Sequence, residues 1–256
     1  MMIYIARTIG DSMASPWKHL VLFFVVPIVL LFLDATPGTQ IMSLDAMVSV
    51  GLTSLIFVSL LRRNQVFSEA FMVSCLMIVA YGLLRFQLFK TYQADTFEQG
   101  IVLLKQQLPA LMDNAMLSET LPMWKMVMPA MWIVTQGFAL LIGFVLFQNA
   151  LKVPNTIANM RFPSIYNFLI VAIMPLYLIE ETKLLFFNAL IGLCVIPFLH
   201  GFSVMWQRLA GIFANRIILS IFMIIIVLYA TILIVLIGFG DMWMQKEKSL
   251  PGGTAA

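Results

Sequence analysis

Residues 217–239 read IILSIFMIIIVLYATILIVLIGF, with no charged side chain anywhere in the run. At about 1.5 Å of rise per residue, a helix of this length covers a hydrocarbon core of about 30 Å. In water its apolar surface would have no partner on most sides. In a bilayer that surface needs none, and every backbone polar group is satisfied within the helix. This stretch therefore sets the class of the fold.

Working outward, further predominantly apolar runs lie near 17–33, 41–61, 67–89, 126–150, 164–180 and 184–206. The expected architecture is all-α, a polytopic integral membrane bundle of about seven transmembrane helices with an interfacial amphipathic segment. The first and fifth runs are short and carry Pro27 and Pro175 at mid-span, which favours kinked or partly buried helices. Composition agrees. Of 256 residues, 62% are hydrophobic and 11% charged, against about 25% charged in a typical soluble chain, and mean hydropathy is +0.99. The 15 basic and 12 acidic residues cannot form a polar skin. A secreted disulfide scaffold, a disordered chain, a nucleic-acid binder and an ordinary cytosolic enzyme are excluded on these grounds. Cys75 and Cys194 sit inside apolar runs and read as small buried hydrophobes.

The boundaries follow. Residues 1–16 form an N-terminal interfacial segment, ended by Ser15 and Pro16, and 17–90 hold three spans. The run 91–123, interrupted by acids, Pro109 and Pro122, is an extramembrane amphipathic segment. Residues 124–240 hold four spans, and 241–256 form a polar tail. No small-x-small cleavage pattern follows Leu33, so the first run reads as an uncleaved span. Lys and Arg flanking a span resist translocation. Arg7 and Lys18, Arg62 and Arg63, Lys152 and Arg161, and Arg208 and Arg216 fall on one face under seven crossings. That places the N-terminus in the cytoplasm of a bacterial cell and the tail, with Lys246 and Lys248, outside.

Ionisable groups at depth are costly, so each calls for a partner. Asp45, Ser49 and Thr53 recur every four residues along the second span, while Ser74, Tyr81 and Arg85 recur at seven and four along the third. One reading leaves the charged members at the interface. The other makes two facing stripes a candidate polar pocket, with Asp45 and Arg85 paired across it. Gln136 and Gly143, Asn188 and Gly192, then Gly201 and Gly238 are small or amide residues that let helices approach closely or hydrogen-bond. His200 reads as a packed or interfacial histidine near the cytoplasmic end of its span. Asp241 and Trp243 anchor the last helix at the interface. Sequence signatures of metalloproteases, serine hydrolases, nucleotide-binding loops and dinucleotide-binding turns are absent. The expectation is no catalytic residue, no metal and no cofactor.

From about residue 97 onward, several pieces occur in order: Met128, Pro129 and Ala130 through Gln148, Asn149 and Ala150; then Arg161, Phe162 and Pro163; then Asn188. Phe198, Leu199, His200, Gly201, Phe202, Ser203 and Val204 follow, and last Gly238, Phe239, Gly240, Asp241, Met242 and Trp243 before Lys246. This series resembles the YybS-like family of bacterial membrane proteins of unknown function. His200 stands where the family has an amide. The resemblance implies a distant likeness to substrate-binding components of energy-coupling-factor transporters, which capture a vitamin or other small solute from outside. Those components dock their energising partner through Ala-x-x-x-Ala on the first helix, and residues 20–27 (LVLFFVVP) carry no such surface. Two functions are therefore expected as alternatives. One is a non-catalytic partner or scaffold in a membrane assembly, touching lipid and another membrane protein. The other is a substrate-binding component with a small-molecule ligand. Neither involves nucleic acid.

Overall fold

The computed structural model describes residues 17–63, 66–109, 115–147, 160–213 and 215–244, and among these it is helical throughout, without strands. The N-terminal interfacial segment, residues 148–159 and the tail from 245 lie outside the described residues. The helices are α1 (Trp17–Leu33), α2 (Pro37–Leu44), a π-helical stretch (Asp45–Leu52), α3 (Thr53–Arg62), α4 (Phe67–Leu88) and α5 (Lys90–Gln107). Then come α6 (Ala115–Phe147), α7 (Ile165–Ala172), 3₁₀ turns over Met174–Leu178 and Glu180–Thr182, α8 (Lys183–Leu193), α9 (Val195–Ala210) and α10 (Arg216–Met244).

Among the described residues, five helical segments are long and apolar enough to cross a membrane: Pro37–Leu61, Phe67–Leu88, Glu119–Val145, Glu180–Ala210 and Arg216–Met244. The expected first and fifth spans correspond to shorter apolar helical segments, Phe24–Leu33 within α1 (Trp17–Leu33) and Ile165–Leu178. In the fifth, Pro175 sits inside a 3₁₀ turn where the α-helix has already ended at Ala172. Proline lacks the N–H needed to continue the ladder.

Contacts group the chain into two compact units, Met1–Thr156 with Ile173–Val195, and Ile157–Ala172 with Ile196–Ala256. In the first unit, α2 starts where its sequence says a helix should: Thr36 is the N-cap, its side chain accepting from the Thr39 N–H, and Pro37 opens the first turn. Asp34 accepts from the Thr39 hydroxyl at 2.6 Å and from the Thr36 N–H at 3.0 Å. Those bonds, the Thr39 one foremost, hold its carboxyl below the usual value. The core is aromatic. Phe57 of α3, Phe67 and Phe71 of α4 and Phe144 of α6 are all buried, with Phe57 edge-on to each of the other three. Gly82 of α4 and Gly192 of α8 both admit Ile133 of α6, whose side chain lies 2.4 Å and 2.9 Å from where a Cβ would stand. Helix α5 is largely exposed, and Lys125 of α6 reaches Glu98 on it at 2.6 Å. The following helix begins at Ala115 and runs through Pro122 and Pro129, ahead of the span expected from 126.

In the second unit, α9 and α10 meet backbone to backbone. A Cβ on Gly201 would lie 2.0 Å from the Ile234 carbonyl oxygen, and one on Gly238 would lie 1.8 Å from that of Pro197. Only glycine fits at either position. Helix α10 is interrupted at Ala230, whose φ of −131° and ψ of 31° break the helical geometry.

Candidate functional site

The polar cluster of the first unit is built on three elements. The π-helical stretch carries Asp45 and Ser49, α4 carries Tyr81 and Arg85, and α6 carries Trp132 and Gln136. Arg85 Nε donates to Asp45 Oδ1 at 2.8 Å, and the Tyr81 hydroxyl donates to the same oxygen at 2.8 Å. The guanidinium lies over the Trp132 ring, 4.8 Å from its centroid, and the Tyr81 ring meets Trp132 edge-on at 5.7 Å. A cation on an indole face gains further attraction where water is scarce. The Arg85 and Asp45 side chains are 14% and 24% exposed, so the pair is mostly withdrawn from its surroundings. Beneath it, Ser49 donates to Gln136 Oε1 at 3.1 Å.

Four of the six expected pocket residues thus converge, and Gln136, expected only as a packing residue, joins them. Thr53 and Ser74 do not. Thr53 donates to the Val48 carbonyl and Ser74 to the Ala70 carbonyl, each closing onto its own helix. A hydroxyl with a backbone acceptor one turn back needs no partner on another helix. The π-helical stretch was not foreseeable from spacing. It places the Thr53 N–H on the carbonyl of Val48, five residues back, and such insertions concentrate at functional positions.

Asn188 makes the most specific polar contact of the packing residues. Its Oδ1 accepts from the Ala130 N–H at 2.8 Å, and its Nδ2 donates to the Met126 carbonyl at 3.0 Å. Those two backbone groups would otherwise bond to each other, so the amide is inserted into the α6 ladder beside Pro129. A side chain bridging a broken rung is one of the few ways a helix tolerates such a break at depth. Gly143 is half-buried on α6.

The second unit holds a separate pair. His200, fully buried, places Nε2 2.8 Å from Asp241 Oδ2, while its Nδ1 accepts from the Phe162 N–H at 3.4 Å. The neutral tautomer with its proton on Nε2 satisfies both contacts. The expected topology sets His200 and Asp241 at opposite ends of their spans, whereas the structure brings the two side chains together. The crossing at Gly238 lies toward the C-terminal end of α10, past the break at Ala230, which a straight antiparallel pairing does not anticipate. Trp243 is exposed and stacks near Phe168 and Phe239. Among the described residues no three His, Cys, Asp or Glu side chains gather as a metal would require.

The sequence matches no family model and no curated protein, and no solved structure matches it.

Proposed function

We propose that this chain is a non-catalytic, multi-pass protein of the bacterial plasma membrane, N-terminus cytoplasmic, serving as a partner or scaffold within a membrane assembly. The observation that supports this reading is the mutual engagement of its intramembrane polar groups. Asp45, Tyr81 and Arg85 bond to one another, Ser49 to Gln136, and Asn188 to the backbone of α6. Groups arranged in this way fix helices against each other. A substrate-binding component of an energy-coupling-factor-like transporter, the alternative, needs such groups turned to a solute, as in the pockets that bind small ligands. The likeness of residues 97 onward to YybS-like proteins belongs to the same proposal.

Helix α10 adds a surface for such a role. Only 17% of its apolar window is buried, and Ile217, Leu228, Tyr229 and Ile232 stand largely exposed. Purification of the full chain from bacterial membranes in mild detergent, with identification of what accompanies it, tests the proposal. Other polytopic membrane proteins in fixed ratio are the expected result. Cytoplasmic ATPase subunits in fixed ratio would overturn it in favour of uptake.

A further inference from the structure

A recess of about 210 Å³ opens in the second unit, and its polar lining is Arg161, His200, Gln207, Arg208 and Asp241. We propose that this recess binds a phosphate-bearing anion between the guanidinium groups of Arg161 and Arg208. His200 Nε2 lies 2.8 Å from the Asp241 carboxylate, and the described lining residues include that one carboxylate and two guanidinium groups. Both arginines are exposed, and among the described residues neither takes part in an ion pair. The described lining is therefore net positive, with both guanidinium-bearing residues exposed.

The two cations come from different places in the chain. Arg161 precedes α7 and Arg208 lies in the last turn of α9. Their meeting is a product of folding and not of a basic run in the sequence. Arginine suits the task better than lysine, because its planar fork donates two parallel hydrogen bonds to a phosphate group. At about 30 Å³ per water, the recess accommodates a group of several heavy atoms.

Its setting points to membrane depth. Phe168, 63% exposed, lies 6.1 Å ring to ring from Trp243, 56% exposed and two residues beyond Asp241. Amphipathic aromatics of this kind collect at the headgroup level of a bilayer. The phosphate can thus come from a lipid headgroup or from a free solute, and the chemistry of capture is shared.

The test is thermal unfolding of the full chain in detergent, titrated separately with dioctanoyl phosphatidylglycerol, dioctanoylglycerol, inorganic phosphate, and sodium chloride at matched ionic strength. Phosphatidylglycerol is expected to raise Tm saturably, and dioctanoylglycerol and chloride are not. Arg161→Gln and Arg208→Gln should each raise the half-saturating concentration about tenfold, the worth of a charge-assisted contact. Arg161→Lys and Arg208→Lys should fall between, with the unliganded Tm of all four unchanged. A saturable, arginine-dependent response to inorganic phosphate identifies a free solute, and its absence identifies the headgroup. An equal response to dioctanoylglycerol, or half-saturation unmoved by every arginine variant, overturns the proposal.

Discussion

Asp45 and Arg85 show how a few polar atoms become structural when water is absent. Each is costly alone in a bilayer, and together with Tyr81 and Trp132 they form one network. Removing one member leaves the other withdrawn and uncompensated, a penalty of about 3–5 kcal/mol for buried pairs. Asp45→Asn and Arg85→Gln should therefore each lower stability by a few kcal/mol at the upper end of what single substitutions do. The double variant should lose much less than the sum, with a coupling of about 1–3 kcal/mol. Unfolding in detergent across the four-member cycle measures it, and strictly additive losses would contradict the network. The spacing of four residues along one span and of seven and four along the next made this pair legible before any coordinates. Trp132 and Gln136 were not legible as its partners. Which face of α6 turns toward α4 depends on how Ile133 seats against Gly82 and Gly192, and one helix's periodicity carries no information about the rotation of another.

Helix α6 makes the same point for an element. Its sequence announces trouble at Pro129, since proline removes one donor and its ring crowds the carbonyl four residues back. It does not announce the remedy, which arrives from α8 as the Asn188 amide between the Ala130 N–H and the Met126 carbonyl. Asn188→Leu keeps the volume and removes both bonds. It should destabilise the fold by about 2–4 kcal/mol, because each backbone group left unpaired at depth costs about 1–3 kcal/mol. Pro129→Ala in the same chain restores the ladder's geometry and lets the two groups find each other. The combined variant should then recover at least half of the loss, read as Tm in one detergent. A combined variant as weak as the sum of its parts would show that Asn188 acts through packing and not through the ladder. The glycine crossing differs in legibility. Gly201 and Gly238 were readable as packing residues, yet the register that sets one against the other, and His200 against Asp241, comes from tertiary approach alone.

For the whole molecule, the open quantity is the number of crossings, and a parity argument reduces it to one measurement. Between residues 151–159 and those beyond Met244 lie two long apolar segments, Glu180–Ala210 and Arg216–Met244, and the shorter Ile165–Leu178. If the short segment crosses, these two stretches are on opposite faces. If it does not, they share one. The basic-residue count does not decide, because a shared face gathers Lys246 and Lys248 with Lys152 and Arg161, whereas opposite faces gather Arg208 and Arg216 instead. Segment length favours the shared face. At about 1.5 Å per α-helical residue and about 2.0 Å per 3₁₀ residue, Ile165–Leu178 falls short of a core of about 30 Å. Arg161, which follows residues 151–159 closely, and Asp241, which precedes those beyond Met244, line one recess. Single cysteines at Asn155 and at Ser249, in a chain with Cys75 and Cys194 replaced by alanine, should accordingly be labelled by an impermeant maleimide from the same side of inverted and right-side-out vesicles. Labelling from opposite sides would make Ile165–Leu178 a seventh crossing and require it to reach across a thinned bilayer.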